Sequence, residues 1–306
     1  MSKPVVAIVG ANGVLAKNLI AALLSPAYND TISFPIRLVT GNVEKTKTLE
    51  AVAASPELFD IYKADILSGE GLAKPFTGAT AVVNLVGVYG FSHNQITDAA
   101  ADAGSVKLYI PSEFGVKTTK EKLGKYAPIF GVKLSAREHA LTKSYKTVAV
   151  FNGLFTEFAF TIPGLGGFVS DSRIEVYSPD ADYTTTSLPD VGRAIAAIVS
   201  KSLDEDEIPD QVVLRGDTIN GKKLAEIYEK IKSTKVEYVE KPAEDILSVT
   251  DKIVDTGYAK DMNEFGAVLI ALFSQGFTNL TPNYEEVTGS DFKFESATEV
   301  AERLFK

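Results

Sequence analysis

The chain contains no cysteine and no tryptophan, and only two histidines, His93 and His139. The missing thiols exclude disulfides, thiolate metal sites and cysteine nucleophiles. Two histidines argue against a zinc centre or a serine–histidine triad, and no metal site is expected. Positive charge is also short: 31 Lys and Arg stand against 40 Asp and Glu, a formal charge of −9. That balance excludes the clustered cations of a nucleic-acid surface and disfavours an anionic membrane. No apolar run approaches the ~20 residues of a membrane span. Met1 runs directly into the strand-like "VVAIVG" (5–10) with no signal-peptide pattern, so the cytosol is the expected compartment.

What is present is a strand–helix rhythm. "VVAIVG" is followed by the helical "VLAKNLIAALL" (14–24), and "PIRLVT" (35–40) by "EKTKTLEAVAA" (44–54). "DIYKAD" (60–65), "AVVNLVG" (81–87), "KLYIPSE" (107–113) and "TVAVFNG" (147–153) supply further strands. "NQITDAAADAG" (94–104) and "PIFGVKLSAREHALTKSY" (128–145) supply further helices. Near-continuous apolar strands separated by helices predict a Rossmann-type, doubly wound parallel sheet in an α/β fold. The second half changes character. A glycine- and proline-rich loop, "FTIPGLGGF" (160–168), leads to helical patterns at 188–199, 220–231, 243–250 and 263–276. The expected division is a cofactor domain at 1–153 and a smaller, mostly helical substrate region at 154–306. Segments of the second are expected to cross back to the sheet.

"GANGVLA" (10–16) lies between the first strand and the first helix. Gly10 permits the tight turn, Gly13 leaves room for a pyrophosphate, and Ala16 stands at the third glycine position. The helix N-terminus offers free N–H groups. Gly10, Ala11, Asn12, Gly13, Val14 and Leu15 are therefore candidate cofactor residues. The second strand ends in Thr40, Gly41 and Asn42, without the acid that usually holds the ribose of NAD. Lys45 and Lys47 follow. Either they read a 2′-phosphate, which means NADP rather than NAD, or they decorate a solvated helix face. Arg37 lies close in sequence but within the strand.

Ligands of such sheets sit beyond the carboxyl ends of the strands. The residues there are Gly87 and Val88, "PSEFG" (111–115), and Asn152 and Gly153. On the helix between strands five and six, Lys133 and Arg137 are four residues apart and share a face. A like-charged pair at that spacing costs about 0.2–0.5 kcal/mol in an isolated helix. Either both cations point into water, or a dinucleotide supplies the missing counter-charge. Tyr89, Phe91, Phe114 and Phe155 are candidate walls for a flat substrate, or ordinary core. His93, after the fourth strand, reads as a helix-start or surface residue.

"LYIPSEFG" (108–115), "FGVKLSAREHA" (130–140) and "VFNGLF" (150–155), continued by "LPDVGRAIAAIV" and "GDTINGKKLAEIYEKI", resemble the isoflavone reductase and phenylcoumaran benzylic ether reductase group. That group belongs to the NmrA-like branch of atypical short-chain dehydrogenases. The resemblance implies an NADPH-dependent reductase acting on a small aromatic or carbonyl-bearing substrate, with Lys133 as general acid/base. It implies cofactor contacts at Arg137, at the turn 10–16 and at Lys45. Thr40 stands where these reductases usually carry arginine. Ile129 stands where ordinary short-chain dehydrogenases carry their tyrosine, and Tyr126 is at the wrong spacing, which disfavours tyrosine-based chemistry. The alternative is a non-catalytic, redox-sensing regulator that binds NAD(P) and a protein partner. A nucleotide-sugar epimerase fits less well, again for want of the tyrosine. Either a monomer or a homodimer is compatible with the sequence.

Overall fold

The computed structural model describes residues 2–87, 93–162, 165, 167–170 and 172–306, without the side chains of Lys122 and Glu205. The first half runs β1 (Val5–Val9), α1 (Val14–Leu24), β2 (Ser33–Thr40), α2 (Val43–Lys47), α3 (Glu50–Ala54), β3 (Phe59–Lys63), α4 (Ala73–Phe76) and β4 (Ala81–Asn84). It continues through α5 (Asn94–Asp102), β5 (Leu108–Ile110), α6 (Lys120–Leu123), α7 (Gly131–Ala140), β6 (Lys146–Thr147) and β7 (Ala149–Phe151). The first six strands form one sheet in the order β3-β2-β1-β4-β5-β6, every pair parallel. This is the Rossmann-type, doubly wound sheet that the alternation predicts. β1 and β4 are buried almost throughout, as central strands covered on both faces must be.

The second half contains β8 (Leu154–Phe155), α8 (Thr156–Thr161), β9 (Phe168–Ser170), β10 (Arg173–Val176), β11 (Tyr183–Thr186), α9 (Leu188–Ser200), β12 (Gln211–Val213) and β13 (Asp217–Ile219). It ends with α10 (Gly221–Lys232), β14 (Glu237–Glu240), α11 (Ala243–Thr256), α12 (Met262–Ser274), α13 (Glu285–Thr288) and α14 (Ala297–Phe305). It is less helical than expected. Two small sheets, β14-β10-β9 and β13-β11-β8, thread between the helices. Their strands are two to four residues long. Such lengths are too short for an alternating pattern to show.

β12 pairs in parallel with β7 in a two-stranded sheet of its own, apart from the six-stranded one. α9 packs on α1 so closely that a Cβ on Gly192 would lie 2.7 Å from the Asn18 carbonyl. One core therefore joins β1, β4 and α1 to residues 188–214. A second core joins Val116, Tyr126, Phe130 and Leu134 to α10, α11 and α12. α7, which carries Lys133, gives Leu134 to this second core and Ala140 to a third one around Val9, Val82 and Tyr109.

Two helices differ from their predicted extents. The stretch 128–145 is not one helix: a 3-10 segment (Gly124–Phe130) precedes α7, which stops at Ala140. Pro128 cannot donate to the backbone ladder. After Ala140 the chain turns so that Tyr145 is buried, stacked 5.2 Å from Tyr109 and donating to the Thr97 carbonyl. The stretch 44–54 breaks between α2 and α3, where the Thr48 hydroxyl donates to the Lys45 carbonyl and Leu49 turns into the core.

Candidate active site

A long groove opens at the carboxyl ends of β1, β2 and β4, with a volume of about 760 Å³. Gly10, Asn12, Gly13, Thr40, Lys45 and Gly87 all line it. Gly10 has φ +85°, and a Cβ there would meet the Leu85 carbonyl carbon at 3.0 Å. Gly10 N donates to Val39 O, and Gly13 N to Gly10 O, which closes the turn. No side chain caps α1 and no acid sits in its first turn, so its leading N–H groups face the groove end uncompensated. The other three predicted residues of the turn take different places. Ala11 and Leu15 are buried in the core, and Val14 is half exposed, so any ligand contact they make comes through the backbone.

At the far end of the turn, Asn12 Nδ2 donates to the Thr40 hydroxyl at 2.8 Å, and its Oδ1 accepts from Thr46. These bonds fix β2 and α2 against the Gly10–Gly13 turn. Lys45 is exposed and lines the groove, whereas Lys47 is paired with Glu44 at 2.8 Å. The structure adds Lys63, which the sequence reading passed over. It lines the same groove and stands opposite Thr40 in the sheet register. Asp65, also on the wall, accepts from the Leu67 N–H, which holds its carboxyl below the usual range. Arg37 is turned away, donating to the carbonyls of Pro75 and Thr77.

The paired cations of α7 find their counter-charge inside the protein. The Arg137 guanidinium donates to Glu113 Oε1 and to the Thr118 hydroxyl, both at 2.7 Å, and to the Thr118 carbonyl at 2.6 Å. Thr118 donates in turn to Glu113 Oε2 at 2.6 Å. Glu113 is 1% exposed. Arg137 therefore does not point into water, and Glu113 supplies it with a counter-charge from within the chain. Burial pushes the Glu113 carboxyl up, against the pull of Lys133 and Arg137.

Lys133 has a different role from its neighbour. Its Nζ donates to the Glu113 backbone carbonyl at 2.5 Å. Desolvation lowers the pKa of the enclosed ammonium, Arg137 lowers it further, and Glu113 opposes both. Lys133 also lines a cavity of about 240 Å³ whose walls include Phe114, Phe155, Phe158, Met262, Phe265 and Phe273. Gly115 sits beside the amine: a Cβ there would lie 3.9 Å from Nζ. Its carbonyl accepts from Asn152 N and Gly153 N, joining "PSEFG" to "FNG". Phe114 and Phe155 thus take the wall positions read from the sequence. Tyr89, Phe91 and Val88 fall outside the described residues. Phe158, Met262, Phe265 and Phe273 come from helices far along the chain, and no local signal marks them.

Tyr126 is 1% exposed, and its hydroxyl accepts from Gln275 at 3.1 Å and lies 3.5 Å from Thr250 Oγ1. It belongs to the second core and does not line the cavity at Lys133. His93 begins α5, as the sequence suggests, but it is buried at 2% exposure.

A doubly wound sheet with an open glycine turn at the carboxyl ends of its strands, together with an aromatic cavity lined by Lys133, defines a Rossmann-type α/β protein. The NmrA-like family model matches residues 2–275, and the chain belongs to the NmrA-like family. No curated protein matches the sequence. Among solved structures, the fold is similar to that of an isoflavone reductase (TM-score 0.76, 16% identity, covering 99% of this chain and 100% of that one). It is also similar to AtPrR2 with NADP+ and (+)pinoresinol (TM-score 0.74, 17% identity, 99% of both chains). A third is the Citrobacter sp. triphenylmethane reductase complexed with NADP(H) (TM-score 0.70, 21% identity, 98% of this chain and 99% of that one). At these identities the likeness establishes the fold. Among the described residues no cluster of metal-ligating side chains occurs and no helix is long and apolar enough to cross a membrane.

Proposed function

We propose that this chain is an NADPH-dependent reductase acting on a small aromatic or carbonyl-bearing molecule, with Lys133 as its general acid/base. One observation carries the reading: Lys133 Nζ, held by the Glu113 carbonyl, lines a cavity walled by phenylalanines, in a fold that also has an open glycine turn at the carboxyl ends of its strands. The reductases that share the fold, two of them solved with NADP+ or NADP(H), support it.

The groove fits the cofactor. A side chain at Gly10 would strike Leu85, and the uncapped end of α1 offers N–H groups to a pyrophosphate. Lys45 and Lys63 stand on either side of Thr40 and would hold a 2′-phosphate in place of the family's arginine. NADPH, when bound, supplies a hydride. The chain supplies the rest. The phenylalanines exclude water from the reacting carbon and present flat faces to a planar substrate. Lys133 Nζ holds the proton that the substrate takes up. Its lowered pKa brings the ammonium closer to the operating pH, where an acid is most effective. Glu113 fixes the amine through its backbone carbonyl while its carboxylate is occupied by Arg137. The amine is therefore oriented through a neutral carbonyl, while the Glu113 charge, shared with Arg137, only partly offsets the lowering by burial.

Lys133→Ala tests this directly. NADPH consumption over a panel of quinones, aromatic ketones and enones should fall by roughly 10²–10⁴-fold, the usual worth of a positioned acid/base. NADPH affinity, read by nicotinamide fluorescence, should change little. Undiminished turnover in the folded variant overturns the role of the lysine. Tight NADPH binding by the wild type with no consumption across the panel would instead support a cofactor-sensing regulator.

A further inference from the structure

Below the groove wall lies a buried polar cluster that the proposed chemistry does not use. Asn84, at the end of β4, is fully buried. Its Oδ1 accepts from Val86 N at 3.0 Å. That bond fixes the amide orientation, because the flipped amide would set an NH2 against an N–H. Asn84 Nδ2 then donates to His93 Nδ1 at 2.9 Å. With Nδ1 accepting, the ring proton belongs on Nε2, which lies 3.3 Å from the Gly87 carbonyl. Leu85, Val86 and Gly87 form one wall of the groove, and Leu85 is the group that Gly10 must approach.

From this geometry we infer that His93 is a positioning residue for the dinucleotide: as the neutral Nε2–H tautomer it clasps Gly87, and with Asn84 it sets the Leu85–Gly87 wall at the distance the cofactor needs. The inference rests on the groove being the NADPH site. Protonation would place a second hydrogen on Nδ1, facing the Asn84 NH2, so the Asn84–His93 bond breaks and that end of the wall loses its support.

The surroundings favour the neutral ring. Burial lowers its pKa, the Gly87 bond opposes this, and the Lys133 ammonium on α7 lowers it further. The titratable Tyr109 on β5 reaches the ring through Asn84, at 3.2 Å from Nδ2. Asp98, on the same helix as His93, is taken by His139 and Lys143. A free imidazole protonates near 6.5, the reference for this group. The folded ring resists until lower pH. The Asn84–His93 bond is therefore intact above 6.5 and is lost as pH falls through the lowered folded value, whereas Nε2–H donates to Gly87 in both states.

Two measurements on the full chain decide the matter. With two histidines, a long-range 1H–15N spectrum of the cofactor-free protein resolves both rings, and His93→Gln assigns them by removing one set. His93 should be the Nε2–H tautomer at pH 7.5 and should protonate below 6.5. An Nδ1–H tautomer, or protonation at or above 6.5, overturns the clasp whatever the groove binds. The second measurement is NADPH affinity from pH 8 to pH 5 for wild type and His93→Gln, whose amide can donate to Gly87 but cannot titrate. The 2′-phosphate also titrates near 6, but equally in both proteins, so it cancels in the ratio. The two dissociation constants should agree at pH 8, and the wild-type value should grow to roughly tenfold the variant's at pH 5, the cost of one broken buried hydrogen bond. A flat ratio overturns the positioning role. Failure of the wild type to bind NADPH at any pH overturns the groove reading instead, while the spectrum still decides the tautomer.

Discussion

The two cavities of this protein are built from different materials. The groove is mostly backbone: a turn at Gly10–Gly13, an uncapped helix end and the peptide wall Leu85–Gly87. The chamber is mostly side chain: a lysine, the Glu113–Arg137–Thr118 cluster behind it, and phenylalanines from four parts of the chain. Backbone architecture tolerates almost no substitution where it is closest, but it demands few residue identities elsewhere. Side-chain architecture depends on buried partners that must all be present at once. The groove's features are therefore general to a fold, while the chamber's depend on the identities of this chain's own side chains.

The sharpest test of that contrast is Glu113→Gln. The change keeps the shape of the side chain but leaves the Arg137 guanidinium, 12% exposed, without its carboxylate. Breaking a buried pair from one side costs about 3–5 kcal/mol. Urea unfolding should show a loss in that range, and adding Arg137→Met should recover a large part of it. A loss below about 1 kcal/mol, the worth of an exposed pair, would mean that the cluster is solvated and the chamber is not built as described.

This contrast also explains what could be read from the residues. "GANGVLA" after an apolar strand is a local signal, since turn, glycine and helix start lie within seven residues. The sheet order follows from the alternation and from right-handed crossovers. The spacing of Lys133 and Arg137 raised the need for a counter-charge, but the charge is Glu113, twenty residues before the lysine. Its place inside the apolar "PSEFG" was the available clue. Lys63 was missed because a lysine ending a strand looks like any solvated residue until the register sets it against Thr40. The short strands β8 to β14 owe their existence to partners far away in sequence, so no window of the sequence contains their cause.

On the groove side, Gly10→Ala should have the next largest effect. A residue with a Cβ at φ +85° costs about 1–2 kcal/mol, and here the Cβ also meets Leu85 at 3.0 Å. Leu85 belongs to the wall, so the strain and the lost affinity share one cause. Thermal unfolding should register the strain, and NADPH binding should weaken by more than about tenfold, since the wall that the cofactor faces is displaced. Gly41→Ala makes a fair control. It lies in the same groove, but its nearest neighbour, the Ala64 carbonyl, would stand at an ordinary 3.9 Å. Equal losses in the two variants would show that the groove tolerates a methyl anywhere or nowhere, and that the close approach at Gly10 carries no special weight.

The smallest effect separates the cofactors. Lys45→Ala and Lys63→Ala each remove an exposed cation from the end of the groove where Thr40 replaces a charged reader. An exposed charge contact is worth about 1 kcal/mol at most, roughly fivefold in affinity. NADPH affinity should fall by about that factor in each variant at low salt, and the effect should shrink as salt rises. NADH, which lacks the 2′-phosphate, should bind all three proteins alike. The carboxylate of Asp65 at the same end works against any anion there, so Asp65→Asn should shift the preference further toward NADPH. A wild type that binds NADH as tightly as NADPH, with neither lysine variant altering the ratio, would leave the two lysines as solvent decoration. The groove would then discriminate by backbone alone.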